Sequence, residues 1–400
     1  MIVDLHAHYP MHIVPKGKVK LWRLLTSREE GQHLIDRVKA LLVDLVSRFR
    51  NYPSFHAGPR VRVKYMKRGN VGVALSPVYS FFDELPFGGT TPKDSYLKTL
   101  ERQIATVTDH VREKHGEDVA IATDPDQLAA AQQPPGKLTL VHSVEGGFHL
   151  GSTEEAVTRA VDRLADLGVA YITLAHLIYR GIATDAPALP FMTDAQYRHW
   201  LPQPDEGLSD LGRAAVKAMA RRRVLIDVSH MSKPSLHDTF DLLEDLETPD
   251  ARIPVLATHA GYRFGTQEYM LSEDTVERIA ARDGVIGLIF ARHQIEDGPP
   301  PGLPARKGPL MTKRRRIAWS LDVLGAHIDR IEEITRSHRH VALGSDFDGF
   351  IKPTLPGLRD MRDMARLERA LHDRYGAAAE LICSQNALRL LTGYWRGSGA

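Results

Sequence analysis

Ile2-Val3-Asp4-Leu5-His6-Ala7-His8 opens the chain as a short apolar run that ends in two histidines. Seven similar apolar runs follow, separated by amphipathic stretches of helical period, at Val71–Leu75, Leu138–Val144, Tyr171–Leu174, Val224–Val228, Val255–Ala257, Val285–Phe290 and Val341–Leu343. Buried strands that alternate with helices are typical of a parallel sheet covered on both faces. Eight such strands, with no glycine-rich phosphate loop after the first, favour an α/β fold of the closed TIM type, a (β/α)8 barrel, over an open sheet.

The chain is long for a bare barrel, and its extra length falls in segments that follow strands. Residues 1–400 are predicted to form one barrel domain with insertions near 16–68, 179–207 and 296–316. Because each insertion follows a strand, all three are expected at the same end of the barrel. Long loops in that position usually shape a substrate pocket or a lid.

Composition and charge exclude several classes of protein. The chain has 52 Lys and Arg against 50 Asp and Glu, a formal net charge of +2, which provides no attraction to nucleic acid or to an anionic membrane. The single cysteine, Cys383, excludes an intramolecular disulfide and a cysteine-rich zinc site. No secretion signal and no apolar run of about 18 residues is visible, so a cytoplasmic protein without a membrane span is expected.

Six of the eight runs end in a group that can bind a metal or transfer a proton. His6 and His8 are two residues apart, so in a strand both point to the same face. The other groups are His142 with Glu145, His176, Asp227 with His230, His259, and Asp346 with Asp348. A single histidine at a strand end is more often a hydrogen-bonded core residue. Six strand ends together favour one site at the carboxyl end of the barrel, where barrel enzymes place their chemistry.

The residue types at these strand ends predict a metal centre. Imidazole and carboxylate without thiolate suit zinc, manganese, iron or cobalt. Two dications about 3.5–4 Å apart repel by roughly 15–20 kcal/mol at an effective dielectric constant near 20, so a pair of ions needs an anion between them. Glu145 is the predicted bridging carboxylate.

These residues resemble the renal (membrane) dipeptidase family of the amidohydrolase superfamily. The resemblance runs from His6 almost to the C-terminus, with its segments in family order. They are Val144-Glu145-Gly146-Gly147, Tyr171-Ile172-Thr173-Leu174-Ala175-His176, Gly207-Leu208-Ser209, Leu225-Ile226-Asp227-Val228-Ser229-His230, Thr258-His259, Gly344-Ser345-Asp346-Phe347-Asp348-Gly349 and Asn386-Ala387-Leu388-Arg389.

The resemblance implies a hydrolase that cleaves an amide bond of a dipeptide or a similar small substrate with two divalent ions, expected to be zinc. The first ion would be held by His6, His8 and Glu145, and the second by Glu145, His230 and His259. Water activated by the metals would attack the amide carbonyl. His176 would stabilise the oxyanion, and Asp346 would carry the proton of the water to the leaving amine. The resemblance also allows a homodimer.

Two departures from the family pattern are visible. His6-Ala7-His8 stands where the family usually has His-x-Asp, which makes the site one charge unit more positive. Family dipeptidases bind the C-terminal carboxylate of the peptide with an arginine, and the corresponding position here falls near Tyr269 or Met270. Arg263 and Arg292, which follow the sixth and seventh strands, are the candidates to replace that arginine.

Other functions remain open at this point. Phosphoesterases and deoxyribonucleases on related barrels share the opening of the chain, but they do not predict the Glu145-Gly146-Gly147 turn. A deaminase would need an additional HxxE-type acid, which cannot be placed. A hydrolase of lactams, N-acyl amino acids or phosphoesters is an alternative, as is a barrel that binds metal without catalysis. Against the last, every proposed metal and proton-transfer position holds a competent residue.

Overall fold

The computed structural model describes residues 1–13, 59–84, 92–134, 136–189, 192–248, 252–298, 313–349 and 354–397. These residues contain one parallel sheet of nine strands. In chain order the strands are β1 (Ile2–Asp4), β2 (Val71–Val78), β3 (Val119–Ala122), β4 (Leu138–Glu145), β5 (Tyr171–Thr173), β6 (Leu225–Asp227), β7 (Val255–Ala260), β8 (Val285–Leu288) and β9 (Val341–Leu343).

Eight of the strands close into a barrel. The order β2-β1-β9-β8-β7-β6-β5-β4 is completed by the pairing of β4 with β2, in which Val73 lies opposite Thr139. Each of these eight strands coincides with one of the predicted apolar runs, and the predicted (β/α)8 barrel is confirmed. The remaining strand, β3, does not belong to the closed barrel and was not predicted. It pairs with the first half of β4, on the edge that β5 occupies further along.

Helices surround the barrel. They are α1 (Val63–Arg68), α2 (Phe81–Glu84), α3 (Leu97–His115), α4 (Pro125–Gln132), α5 (Glu154–Asp166), α6 (Asp194–Trp200), α7 (Asp210–Arg222), α8 (Lys233–Leu246), α9 (Glu273–Ala281), α10 (Arg292–Ile295), α11 (Lys313–Thr335), α12 (Met364–Tyr375), α13 (Ala378–Glu380) and α14 (Asn386–Gly393).

Helix α5 illustrates why these segments are helical and why they pack on the barrel. Thr153 caps its N-terminus by accepting a hydrogen bond from the Ala156 amide at 3.2 Å. Val157, Val161 and Leu164 recur at helical spacing and are fully buried. The apolar face therefore covers the barrel, while polar side chains of the same helix face outward.

The amino end of the barrel is closed by the C-terminal segment. Trp395, just after α14, is fully buried in a cluster with the strand residues Val3, Val141 and Leu225. Its indole Nε1 donates to the carbonyl oxygen of Val169, which precedes β5, at 3.2 Å. Trp395 therefore lies at the end opposite to the one where the chemistry was predicted.

The insertions lie only partly within the described residues. Residues 14–58 and 299–312 fall outside them, and with them most of the insertions near 16–68 and 296–316. The insertion near 179–207 carries α6. Bridges join its Ala183 to Leu208, just before α7, and its Asp185 to Met231, after β6. Over the described ranges, no helix is long and apolar enough to cross a bilayer. The single domain over 1–400 stays a prediction.

Candidate active site

Histidines and carboxylates from different strands meet at the carboxyl end of the barrel. All of them are buried, and they include each of the five predicted metal ligands. His6 and His8 follow β1, Glu145 ends β4, His230 follows β6, and His259 lies in β7. Three groups of three ligand atoms lie close enough to hold an ion. Glu145 belongs to two of them, and the third consists of His6, Asp227 and His259.

The first group consists of His6, His8 and Glu145. The Nε2 atoms of the two histidines are 3.1 Å apart. Oε1 of Glu145 lies 3.3 Å from His6 Nε2, and Oε2 lies 3.6 Å from His8 Nε2. Ligand atoms at about 2.1 Å from a tetrahedral zinc ion lie roughly 3.4 Å from one another, so the spacing fits a metal site.

The second group consists of His230, His259 and Glu145. The Nε2 atoms of its histidines are 2.9 Å apart. Oε1 of Glu145 lies 3.6 Å from His259 Nε2 and 3.9 Å from His230 Nε2. One carboxylate oxygen therefore faces histidines of both groups, as a carboxylate shared by two ions must.

Hydrogen bonds to the Nδ1 atoms of two histidine rings leave the Nε2 atoms of these rings to bind a metal. The hydroxyl of Thr258 donates to Asp227 Oδ2 at 2.6 Å, so its oxygen is left to accept from His259 Nδ1 at 2.8 Å. The hydroxyl of Tyr171 donates to the carbonyl oxygen of Leu5 and accepts from His6 Nδ1 at 2.8 Å. With the ring protons on Nδ1, the Nε2 lone pairs turn toward the cluster, which is the form that binds a metal.

The electrostatics of the cluster favour the neutral form of His259 and of His230, but not of His6 without a metal. Burial lowers the pKa of His230 and His259 well below the usual range, which keeps these imidazoles neutral. Burial by itself raises the pKa of Glu145, but His176 and His6 outweigh it and lower the pKa far below the usual range. For His6, burial lowers the pKa and Glu145 raises it, with a net rise. A metal at His6 therefore displaces a proton on binding.

Asp346 lies beside the first group. Its Oδ1 is 3.1 Å from His8 Nε2 and 3.8 Å from His6 Nε2. Burial raises the pKa of this carboxyl group above its usual value, although His8 opposes the rise. A carboxyl group in this position, with its pKa raised above the usual value, can accept a proton and return it.

His176 lies on the other side of Glu145. Its Nε2 is 3.4 Å from Glu145 Oε1, and its Nδ1 is 2.9 Å from Oε2 of Glu84. Burial by itself lowers the pKa of His176, but Glu145 and Glu84 raise it to about 9. This imidazolium can stabilise negative charge that develops on a substrate oxygen.

Glu84 was not predicted from the sequence. It ends α2, six residues after the end of β2, and it is buried beside His176. The signal that could have found it is the acidic pair Asp83-Glu84 after one of the two strands to which no polar group had been assigned.

Two other strand-end groups turn out not to face the cluster. His142 Nε2 lies 3.3 Å from Thr108 Oγ1 on α3, outside the barrel. Asp348 Oδ2 accepts from the backbone amides of Arg60 and Val61 at 2.9 and 3.0 Å, so it anchors the chain where it enters α1.

The two arginines proposed for substrate binding are both engaged elsewhere. Arg263 donates from Nε to the carbonyl oxygen of Met270 at 2.7 Å and from Nη2 to that of Glu268 at 2.6 Å. Arg292 donates from Nε to both carboxylate oxygens of Glu296, at 2.8 and 2.9 Å. Their role toward substrate stays a prediction.

Tyr269 occupies the neighbourhood where the family has its arginine. Its hydroxyl donates to the carbonyl oxygen of His259 at 2.6 Å, and its ring centroid is 4.9 Å from that of His230. An aromatic side chain therefore packs against the second group of ligands at this position.

Comparisons with known proteins identify the family of the chain. The sequence profile of the family described as membrane dipeptidase (peptidase family M19) matches residues 29–394. An uncharacterized dipeptidase of Schizosaccharomyces pombe (strain 972) is 29% identical over 336 residues, which are 82% of this chain and 69% of that protein.

Two solved structures share the fold over nearly the whole chain. Dipeptidase AC, a metallo peptidase of family M19, has a TM-score of 0.67 at 18% identity and covers 98% of both chains. A metallo peptidase from Rhodobacter sphaeroides, liganded with a phosphinate mimic of L-Ala-D-Ala, has a TM-score of 0.67 at 17% identity over 98% of this chain and 99% of that one. With the family profile matched over most of its length, the chain belongs to the membrane dipeptidase family, peptidase family M19, and is a metal-dependent dipeptidase.

Proposed function

We propose that the chain is a binuclear dipeptidase with two zinc ions. His6, His8 and Glu145 hold one ion, and Glu145, His230 and His259 hold the other. The observation that carries the proposal is the position of Glu145, whose Oε1 lies 3.3 Å from His6 Nε2 and 3.6 Å from His259 Nε2. Its negative charge lies between the two pairs of histidines and offsets part of the repulsion between the ions.

The proposal of zinc follows from the donor set. Four imidazole nitrogens and one shared carboxylate make the site rich in nitrogen, and His8 replaces a carboxylate that the family usually has. Magnesium and calcium prefer oxygen ligands, whereas zinc takes imidazole readily. The absence of thiolate in this set agrees with a catalytic rather than a structural site.

The roles of the remaining residues follow from their distances. When bound, the two ions polarise the scissile carbonyl and lower the pKa of a water molecule at the site. Asp346, 3.1 Å from His8 Nε2, takes the proton of that water and delivers it to the leaving amine. His176, with Nε2 3.4 Å from Glu145 Oε1, donates to the carbonyl oxygen as it becomes negative.

The substrate we propose is a dipeptide with a free C-terminal carboxylate. The related Rhodobacter sphaeroides metallo peptidase was solved with a phosphinate mimic of L-Ala-D-Ala, which supports a small dipeptide and extends the range to a D residue on the carboxyl side. Tyr269, in the neighbourhood of the family arginine, packs against the ring of His230. The carboxylate must therefore be recognised differently here.

The test is hydrolysis by the metal-free and the zinc-loaded protein. The panel contains L,L- and L,D-dipeptides, N-acyl amino acids and small lactams. We expect the zinc-loaded protein to cleave dipeptides, a chelator to abolish cleavage, and added zinc to restore it. Cleavage of N-acyl amino acids or lactams with no cleavage of any dipeptide would contradict the proposal, as would activity that survives removal of all metal.

A further inference from the structure

Glu84 uses both of its carboxylate oxygens to hold the segment that begins with His176. Oε1 accepts from the backbone amides of Leu177 and Ile178 at 2.7 and 3.0 Å. Oε2 accepts from His176 Nδ1 at 2.9 Å and from the hydroxyl of Tyr79. A buried carboxylate is costly unless its oxygens are hydrogen-bonded, and here four donors satisfy it.

We propose that Glu84 is a positioning residue for catalysis, which fixes the ring of His176 with Nε2 directed at the metal site. This inference rests on the proposed function of the site and adds a residue to it. A carboxylate accepts hydrogen bonds but does not donate them, so the ring nitrogen that faces Glu84 must be Nδ1–H. The opposite ring atom, Nε2, is then the one that lies 3.4 Å from Glu145 Oε1.

Contacts with two neighbouring rings add to this constraint. The Tyr79 ring meets the His176 ring edge to face with a centroid distance of 4.7 Å, and the His230 ring does the same at 4.7 Å. The His176 amide donates to Asp185 Oδ1 at 2.6 Å, which fixes the backbone from the other side. Within this arrangement the bond to Glu84 decides which ring nitrogen faces the cluster.

The position of Glu84 in the fold explains how its carboxylate reaches the ring of His176. Glu84 follows β2 and His176 follows β5, and β4 with Glu145 lies between those two strands in the barrel. The chain of contacts from Glu84 through His176 to Glu145 therefore crosses three strand ends. It resembles the arrangement in which a carboxylate orients a catalytic histidine from behind.

Glu84→Gln separates the positioning role from a purely structural one. The side-chain oxygen of glutamine can still accept from the amides of Leu177 and Ile178, whereas its NH2 group cannot accept from His176 Nδ1–H. We expect kcat to fall on the order of 10- to 100-fold, as for other outer partners of metal-site residues, with KM changed far less. Glu368→Gln, which changes a buried carboxylate that is hydrogen-bonded to Asn70 and not to His176, is the matched control and should keep most of kcat.

A double-mutant cycle with His176→Ala gives the decisive readout. If Glu84 acts through His176, Glu84→Gln should cost nothing further in the His176→Ala background. An equal loss in both backgrounds, or an unchanged kcat in Glu84→Gln alone, overturns the positioning role. The wild-type protein is assayed beside the variants. Failure of the wild type to cleave any dipeptide would count against the proposed function, and the cycle would then be run on whichever panel substrate is cleaved.

A spectroscopic measurement on the wild-type protein covers the case in which the variant does not fold. Long-range proton–nitrogen correlation spectra report which ring nitrogens of a histidine carry a proton, and His176→Gln assigns the signal. We expect a protonated Nδ1 in His176. An unprotonated Nδ1 overturns the proposal without any variant of Glu84.

Discussion

Oδ1 of Asp346 lies 3.1 Å from Nε2 of His8, and a left-handed backbone directs the carboxyl group there. The φ angle of Asp346 is 52°, a conformation that costs residues other than glycine of order 1 kcal/mol or more. The Asp346 amide donates to the carbonyl oxygen of His6 at 2.8 Å, which holds the strained turn against β1. Strain kept at this position is consistent with a role in the chemistry.

Replacing Asp346 should separate catalysis from metal binding. Asp346→Asn keeps the size of the side chain but cannot accept the proton of the attacking water. We expect the variant to keep its fold and most of its metal while kcat falls by on the order of 10²- to 10⁴-fold, the usual contribution of general acid–base catalysis. Turnover close to that of the wild type, in a variant with full metal content, would remove Asp346 from the mechanism.

Gly349 leaves the space that Asp346 and His8 need. A Cβ atom on Gly349 would lie 1.7 Å from Asp346 Oδ1 and 2.8 Å from His8 Nε2, so Gly349→Ala must displace the carboxylate. We expect kcat to fall by at least about 10²-fold, as for loss of the general base. Gly393→Ala is the matched control, because nothing lies within 4 Å of a Cβ there, and it should be neutral. Equal activity of the two variants would show that the protein accommodates the added methyl group without displacing the carboxylate of Asp346.

The strands of the barrel could be predicted because each is buried and therefore apolar along its length. There is a physical reason why β3 was not predicted. Two of the four residues of Val119–Ala122 are partly exposed, and the strand pairs along half of β4 without taking part in barrel closure. Burial is therefore less complete in β3 than in the eight barrel strands, where only Gly72 is partly exposed.

The metal cluster could be predicted from strand ends because parallel strands in a barrel bring their carboxyl ends together. His142 was included among the predicted strand-end groups, although its side chain faces α3. It precedes Glu145 by three residues, and an odd spacing in a strand places two side chains on opposite faces. Glu84 could not be predicted in this way, because a short helix separates it from its strand and only the folded chain brings it to His176.

Recognition of a substrate carboxylate can be tested by amidation of the dipeptide. Arg292 is half-buried and paired with Glu296 four residues on, an interaction that a substrate carboxylate could replace, whereas Arg263 holds two backbone carbonyls. We expect amidation to lower kcat/KM by about 10²-fold or more, because the amide carries no charge to pair with the half-buried guanidinium of Arg292. Arg292→Ala should remove this preference, with Arg263→Ala as the comparison. Equal cleavage of the free acid and the amide would show that no such carboxylate site exists.

His327 should make the stability of the fold depend on pH, away from the metal site. Its Nδ1 accepts from the Tyr262 amide at 3.1 Å and its Nε2 donates to the carbonyl oxygen of Ile295 at 2.9 Å, an arrangement that requires the neutral ring. Burial lowers its pKa to about 4. The unfolded chain binds a proton below about pH 6.5, so stability is present above that pH and is lost as the pH falls toward 4.

Denaturant unfolding of the metal-free protein at pH 8 and pH 5 measures this effect. From the two pKa values, His327 should contribute a loss of about 2 kcal/mol at pH 5. His327→Gln should unfold with a correspondingly smaller difference between the two pH values. The same pH dependence in the variant and the wild type would mean that the ring is not held neutral.

The assignment of a binuclear site depends most on Glu145, because its carboxylate lies between two pairs of histidine Nε2 atoms. Glu145→Gln removes the charge that both ions share, while His259→Ala removes a ligand of the second ion only. Metal equivalents per chain, measured by elemental analysis after zinc loading and desalting, compare the two variants with the wild type. We predict two equivalents in the wild type, close to one in His259→Ala and a loss at both sites in Glu145→Gln. Two equivalents retained in Glu145→Gln would contradict the bridging role and with it the binuclear site.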